Sequence, residues 1–169
     1  QKNVATVTPR DKPSVYIIDR PGSIQSVVYV GNLAPQKANP EEIAIELANK
    51  VLGGDFTSRI NMNLREDKHW TYGARSSLAA ARGQRPFVTM VQVQGDKTKD
   101  TMQEIDKELR GILSDKPVTD AEFARVVTNQ TLKLPGTWET IASVGGSLAE
   151  IVCFGLPDDY FQTYSDKIR

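Results

Sequence analysis

Arg65 and Tyr72 stand seven residues apart in the stretch Leu64-Arg65-Glu66-Asp67-Lys68-His69-Trp70-Thr71-Tyr72-Gly73. A guanidinium is a permanent cation with a planar fork of donors, suited to a peptide carbonyl or a carboxylate. A phenol can donate a hydrogen bond to an oxygen on which negative charge develops. One well-placed donor of that kind is worth about 2.7–4 kcal/mol in a transition state. Spacing alone leaves a plainer alternative open, a solvated cation packed on an aromatic edge.

Other chemistries lack their residues. His69 is the single histidine, and neither His-x-x-Glu-His nor His-Glu-x-x-His occurs. A zinc site needs further ligands placed beside a lone imidazole. No metal ligand and no catalytic residue is therefore assigned in this chain, and His69 is expected to be a surface residue in a turn. A Ser-His-Asp arrangement would have to use His69, and no Gly-x-Ser-x-Gly elbow is present. Cys153 lies between Val152 and Phe154 and is expected to be a small buried hydrophobe. Gly53-Gly54 lacks the Lys-Ser/Thr tail of a phosphate loop. Glu41-Glu42 and Asp158-Asp159 fit helix starts, where acids complement the macrodipole.

The elements that must position Arg65 and Tyr72 follow from periodicity. Val15 to Asp19 alternates and predicts a strand; Ile24 to Val30 predicts a second. Arg20-Pro21-Gly22-Ser23 between them suits a type II turn, so a hairpin is expected. Asn39-Pro40-Glu41-Glu42 opens a helix through Ile43, Leu47 and Val51, and Gly53-Gly54 is expected to close it with a left-handed cap. A second helix from about Asp55 would bury Phe56, Ile60 and Leu64, leaving Arg65 at the edge of that stripe. Strands are expected over roughly Thr71 to Ala81 and Pro86 to Gln94. The small residues of the first would admit a close neighbour.

Four helices complete the pattern. Met102, Ile105, Leu109 and Ile112 mark one. Thr119-Asp120-Ala121-Glu122 is a capping box for the next, stopped by Pro135-Gly136. Ile141, Val144, Leu148 and Ile151 mark a third, interrupted by Gly145-Gly146, and Tyr160, Tyr164 and Ile168 line the last. Strands segregate from helices, which predicts α+β: an antiparallel-rich sheet covered on one face by helices.

At 169 residues the chain suits one domain with a real core. Gln1 to Pro13 reads as a linker remnant, and residues 14–169 as a single α+β domain, incomplete at its C-terminal end. Lys plus Arg (21) equals Asp plus Glu (21), so no global field favours nucleic acid or an anionic membrane. No apolar run has the length of a bilayer span. Cys153 alone excludes an internal disulfide.

Gly53-Gly54-Asp55-Phe56-Thr57-Ser58-Arg59, Leu64-Arg65-Glu66 and Tyr72-Gly73 together carry a family resemblance. They resemble the carboxyl-side, non-zinc domain of the inverzincin zinc metallopeptidases, the pitrilysin, insulin-degrading and mitochondrial-processing group. The hairpin from Ile18 to Gln25 is similar to the family's domain-opening strand pair. The match runs from about Val15 to Tyr164 and is strongest between Leu52 and Gly73. In active members an arginine and a tyrosine at this separation reach across an enclosed chamber to the zinc site of the opposite half.

The resemblance implies a metallopeptidase-half type domain that lines the substrate chamber of a peptide-hydrolysing, zinc-dependent enzyme. Arg65 and Tyr72 would bind substrate and support the transition state. Zinc would sit in a partner domain or subunit, with no cofactor in this fragment, which alone would be inactive. Peptide would be the substrate. Bacterial relatives imply a periplasmic or secreted setting, although no residue here selects it over the cytoplasm. The same fold also serves as a catalytically silent assembly subunit, which is the alternative reading. A third is a peptide-binding module that recruits a strand to an exposed sheet edge.

Overall fold

Val28 and Val30 alternate with Val27 and Tyr29, and there the chain is extended. The computed structural model describes residues 5–168. Three strands, β1 (Gln25–Ala34), β2 (Ala74–Leu78) and β3 (Arg85–Gln94), form one antiparallel sheet in the order β1-β3-β2. The register sets Gln25 opposite Gln94, Val27 opposite Gln92 and Ala74 opposite Val91. Alternation then sorts the side chains. Val28, Ala74, Val91 and Val93 face the helices and pack with Ile60, Leu64 and Ile105. Val27, Tyr29, Gln92 and Gln94 point from the other face and are exposed.

Six helices follow the predicted order. They are α1 (Glu42–Asn49), α2 (Arg59–Asn61), α3 (Thr98–Gly111), α4 (Asp120–Thr137), α5 (Ile141–Phe154) and α6 (Tyr160–Lys167). α1 runs into a π-helical turn at Lys50–Gly54, and α2 into another at Met62–Asp67. The architecture is α+β, as the segregated patterns predict. A second core joins Leu47 of α1 and Val51 of the π-helical turn after it to Val126 of α4 and to Tyr160, Tyr164 and Ile168. Full burial of a side chain such as Ile60 (0% exposed) contributes about 1.5–3 kcal/mol.

The expected opening strand at Val15 to Asp19 does not form. The turn after it does, with Gly22 at φ 82° and Ser23 N–H donating to Arg20 O at 3.1 Å. Among the described residues β1 pairs only with β3. Val15, Tyr16, Ile17 and Ile18 therefore lack a neighbour to bury against and are exposed. Residues 5–13 carry no helix or strand, and residues 1–4 of the expected linker lie outside the described residues.

Several local expectations fail for identifiable reasons. Gly53-Gly54 is not a left-handed cap. A Cβ on Gly53 would lie 2.7 Å from Ser76 N, so the glycine permits helix and β2 to touch. The small residues of β2 do admit that close neighbour. Phe56 precedes α2 and is 62% exposed, so only Ile60 and Leu64 of its stripe are buried. α4 continues through Pro135 to Thr137, and α5 passes through Gly145-Gly146 unbroken. Ile141, Leu148 and Val152 of α5 face outward, and Cys153 is exposed, not buried. The capping box stands as predicted: Thr119 Oγ1 accepts from Glu122 N–H at 3.3 Å, and Glu122 Oε2 accepts from Thr119 N–H at 2.9 Å.

Glu42 is more than a helix-start acid. It is 3% exposed, and its carboxylate pairs with the Arg85 guanidinium at the head of β3. Lys37 Nζ lies 3.2 Å from Glu42, 2.5 Å from Glu46 and 3.3 Å from Glu150. Arg85 Nε also donates to Pro35 O at 2.8 Å. This buried cluster ties α1, β3 and α5 together. Burial opposes charge on Lys37, yet the hydrogen bond and charge of Glu46 outweigh it and hold the ammonium above its usual range. Burial pushes the neighbouring Tyr160 phenol up to about 12.

Candidate functional site

Arg65 sits in the π-helical turn after α2, and Tyr72 two residues before β2. Backbone hydrogen bonds build the corner between them. Lys68 N–H donates to Asn63 O and Trp70 N–H to Leu64 O, each at 3.1 Å, which ends the helix. His69 adopts φ 58°, a left-handed conformation that histidine tolerates better than most residues. Its Nδ1 lies 3.1 Å from Arg65 O. Thr71 Oγ1 donates to Gln92 O at 2.5 Å and accepts from Gly73 N–H at 3.1 Å, so the chain enters β2 at a fixed angle.

Asn61 locks this corner from beneath. It is 4% exposed; its Oδ1 accepts from Ala74 N–H at 3.0 Å and its Nδ2 donates to Phe56 O at 2.6 Å. One side chain thus spans the chain before α2 and the start of β2. A polar residue beside the buried Ile60 and Leu64 was the available signal for it.

The two sequence-selected residues have different surroundings. Tyr72 is 93% exposed, and its hydroxyl makes no hydrogen bond among the described residues. The Arg65 guanidinium lies 4.5 Å from the Phe56 ring centre, and Nε is 3.4 Å from Glu66 Oε1. The aromatic edge that carries the cation is therefore Phe56, not Tyr72. The Arg65 side chain remains 36% exposed. Both groups are accessible from the same helix-to-strand corner.

Tyr72 itself lines an open hollow of about 280 Å³, together with Gln25, His69, Trp70, Met90, Gln92 and Gln94. Lys68 and Lys97 place their ammonium groups 5.4 and 5.9 Å from the Trp70 ring centre. His69 is exposed in its turn, as expected. The glutamines went unnoticed in the sequence, although alternation along β3 puts Gln92 and Gln94 on one face.

Arg59 has a structural task. Its Nε and Nη2 donate to the two oxygens of Glu122, each at 2.6 Å, and Nη2 also reaches Pro117 O at 2.8 Å. That pairing pulls the Glu122 carboxyl down to about 2. Arg59 of the family-like Ser58-Arg59 pair therefore clamps α2 to the capping box of α4.

Among the described residues no group of three His, Cys, Asp or Glu side chains could hold a metal ion. The single imidazole lacks the carboxylate and imidazole neighbours that zinc needs, so these residues do not fit a zinc site. No helix of the described residues is long and apolar enough to cross a membrane.

An antiparallel sheet packed on one face by helices is the architecture of a metallopeptidase-family domain, and comparison with known proteins defines which kind. Residues 1–130 match the family described as the peptidase M16 inactive domain, and the chain belongs to that family. A peptidase M16 inactive domain from Pseudomonas fluorescens shares the fold at TM-score 0.79 and 21% identity, over 86% of this chain and 35% of that one. A protease from Helicobacter pylori does so at TM-score 0.79 and 19% identity, over 88% of this chain and 36% of that one. The inactive peptidase domain of a candidate zinc protease from Bordetella parapertussis matches at TM-score 0.73 and 20% identity, over 90% and 81%. The chain thus spans about a third of the length of the first two. Comparison with curated proteins found no match.

Proposed function

We propose that this chain is the substrate-chamber wall of a zinc-dependent metallopeptidase that hydrolyses peptides. Arg65 and Tyr72 are its substrate-side pair. The observation that carries this reading is the Tyr72 phenol: almost fully exposed, without a hydrogen bond among the described residues, on a hydrogen-bonded corner whose helical side carries the accessible Arg65 guanidinium. A hydroxyl with no protein partner, carried on a held backbone, can donate to a developing oxyanion by giving up only water. Arg65 can leave its partly exposed Glu66 partner for a peptide carboxylate or carbonyl at little cost, since such pairs contribute about 0–1 kcal/mol. π-helical turns are frequent at functional sites, and one of them carries Arg65.

In this reading zinc belongs to a partner half, and the residues here bind and orient peptide without holding metal. The chain by itself is inactive. A periplasmic or secreted setting accompanies the proposal.

The test is Tyr72→Phe in the full-length protein, with peptide turnover, bound zinc and folding all measured. Turnover is expected to fall about 100-fold or more, with zinc content and fold unchanged. Unchanged turnover would remove Tyr72 from the chemistry. An intact wild-type protein that neither binds zinc nor cleaves peptides would favour the assembly-subunit reading instead.

A further inference from the structure

The hollow that Tyr72 lines also carries three glutamines. Gln25 and Gln94 are register partners across β1 and β3, and Gln92 follows on the same face. Directly opposed residues on one face of an antiparallel pair hold their Cβ atoms about 4.5–5.5 Å apart, so the three amides form one patch. None of the three side-chain amides makes a hydrogen bond to another described residue, and all three residues are exposed. Trp70 and Met90 give the hollow apolar surface, and its residues include no Asp, Glu, Lys or Arg. The ammonium groups of Lys68 and Lys97 lie over the Trp70 ring, outside that lining.

A charged group entering the hollow would lose water without meeting a counterion in its lining. An aliphatic group would cover amides that want partners. A carboxamide avoids both penalties: it offers a carbonyl acceptor and two N–H donors, the complement of what each glutamine presents. The volume, about 280 Å³, lies just under the range of sites for drug-sized ligands and suits a single long side chain. We propose that this hollow is a side-chain subsite for a glutamine or asparagine of a bound peptide, read by Gln25, Gln92 and Gln94 over Trp70. The word peptide rests on the function proposed above; the hollow's preference for a carboxamide does not.

The test is a calorimetric titration of the full-length protein with short capped alanine peptides carrying a single Gln, Leu or Glu. The Gln peptide is expected to bind about 10-fold tighter than the Leu peptide, the effect of one or two net hydrogen bonds. Gln92→Leu with Gln94→Leu should abolish that preference. Both positions are exposed on the uncovered sheet face, so the double variant should keep its fold, checked by circular dichroism. Equal affinities for the Gln and Leu peptides, or a preference that survives the double substitution, would overturn the subsite. So would a Glu peptide that binds tightest and loses its advantage in high salt, since that marks an anion site at Lys68 and Lys97. Binding needs no turnover. If Tyr72→Phe leaves catalysis intact while the Gln preference holds, the catalytic reading fails and the subsite stands. If the preference is absent while Tyr72→Phe abolishes turnover, only the subsite fails.

Discussion

Arg85 and Arg65 carry the same guanidinium in opposite circumstances. Arg85 is 2% exposed, paired with Glu42 and bonded to Pro35 O, inside a cluster that also holds Lys37. Arg65 lies on the Phe56 ring at the surface, with one loose partner in Glu66. The phenols repeat the contrast: Tyr160 lies against Lys37, with burial pushing its hydroxyl up to about 12, while Tyr72 stands in solvent. Groups committed to the interior hold elements together and are unavailable for binding. Uncommitted groups on a braced corner add little to stability and are free to meet a ligand.

The sharpest way to break that contrast is to make one substitution at both arginines. Arg85→Met removes the charge but leaves Glu42 buried without its guanidinium partner. The expected loss is about 3–5 kcal/mol, read from the urea midpoint. Arg65→Met should change stability by no more than about 0.5 kcal/mol, because it touches no buried partner. Similar losses at the two positions would mean that the corner is as structural as the cluster, and the functional assignment of Arg65 would go with it.

Periodicity exposed the regular elements because it reports which side of an element meets a core. Val91 and Val93, Ile60 and Leu64, and Tyr160, Tyr164 and Ile168 all lie where their spacing places them. Spacing also put Arg65 off the buried stripe. What it cannot report is whether a neighbour arrives. Val15 to Ile18 has strand character and no strand beside it, and the α5 stripe has helical period and a solvent-facing side. Long-range ion pairs were equally illegible. Nothing local in Arg82-Gly83-Gln84-Arg85 distinguishes a turn arginine from one buried against Glu42, 43 residues away. The candidate corner was visible through Arg65 and Tyr72, but not its brace, Asn61, nor the glutamines beside it.

Asn61→Ala probes that brace with a smaller expected effect. It strips the acceptor from the buried Ala74 N–H and the donor from Phe56 O, for about 1–3 kcal/mol. The Ala74 amide should exchange with solvent faster than the Val91 amide across the β2–β3 ladder, measured by hydrogen exchange. If Ala74 stays protected, the entry into β2 is held by Thr71 and the ladder alone, and Tyr72 owes its position to them.

The smallest effect is a pH dependence at the Arg59–Glu122 clamp, which lies between the two extremes: partly buried, fully bonded and remote from the corner. Arg59 holds the Glu122 carboxyl at about 2, against 4.5 for an unconstrained glutamate. The unfolded chain therefore takes up this proton before the folded one does. The clamp's contribution is complete above about pH 4.5 and disappears as pH falls toward about 2. After allowance for solvent screening it is on the order of 1 kcal/mol. Arg59→Gln removes the cation responsible, so the stability gap between wild type and variant should be widest at neutral pH and narrow through that acid window. A remainder should persist at the acid end, because Arg59 also donates to the carbonyls of Lys116 and Pro117 and those bonds do not titrate. A gap of constant width across the window would show that those carbonyl bonds, and not the ion pair, make the clamp. The Ser58-Arg59 stretch would then owe its shape to backbone capping, leaving the Arg65 and Tyr72 corner unaffected.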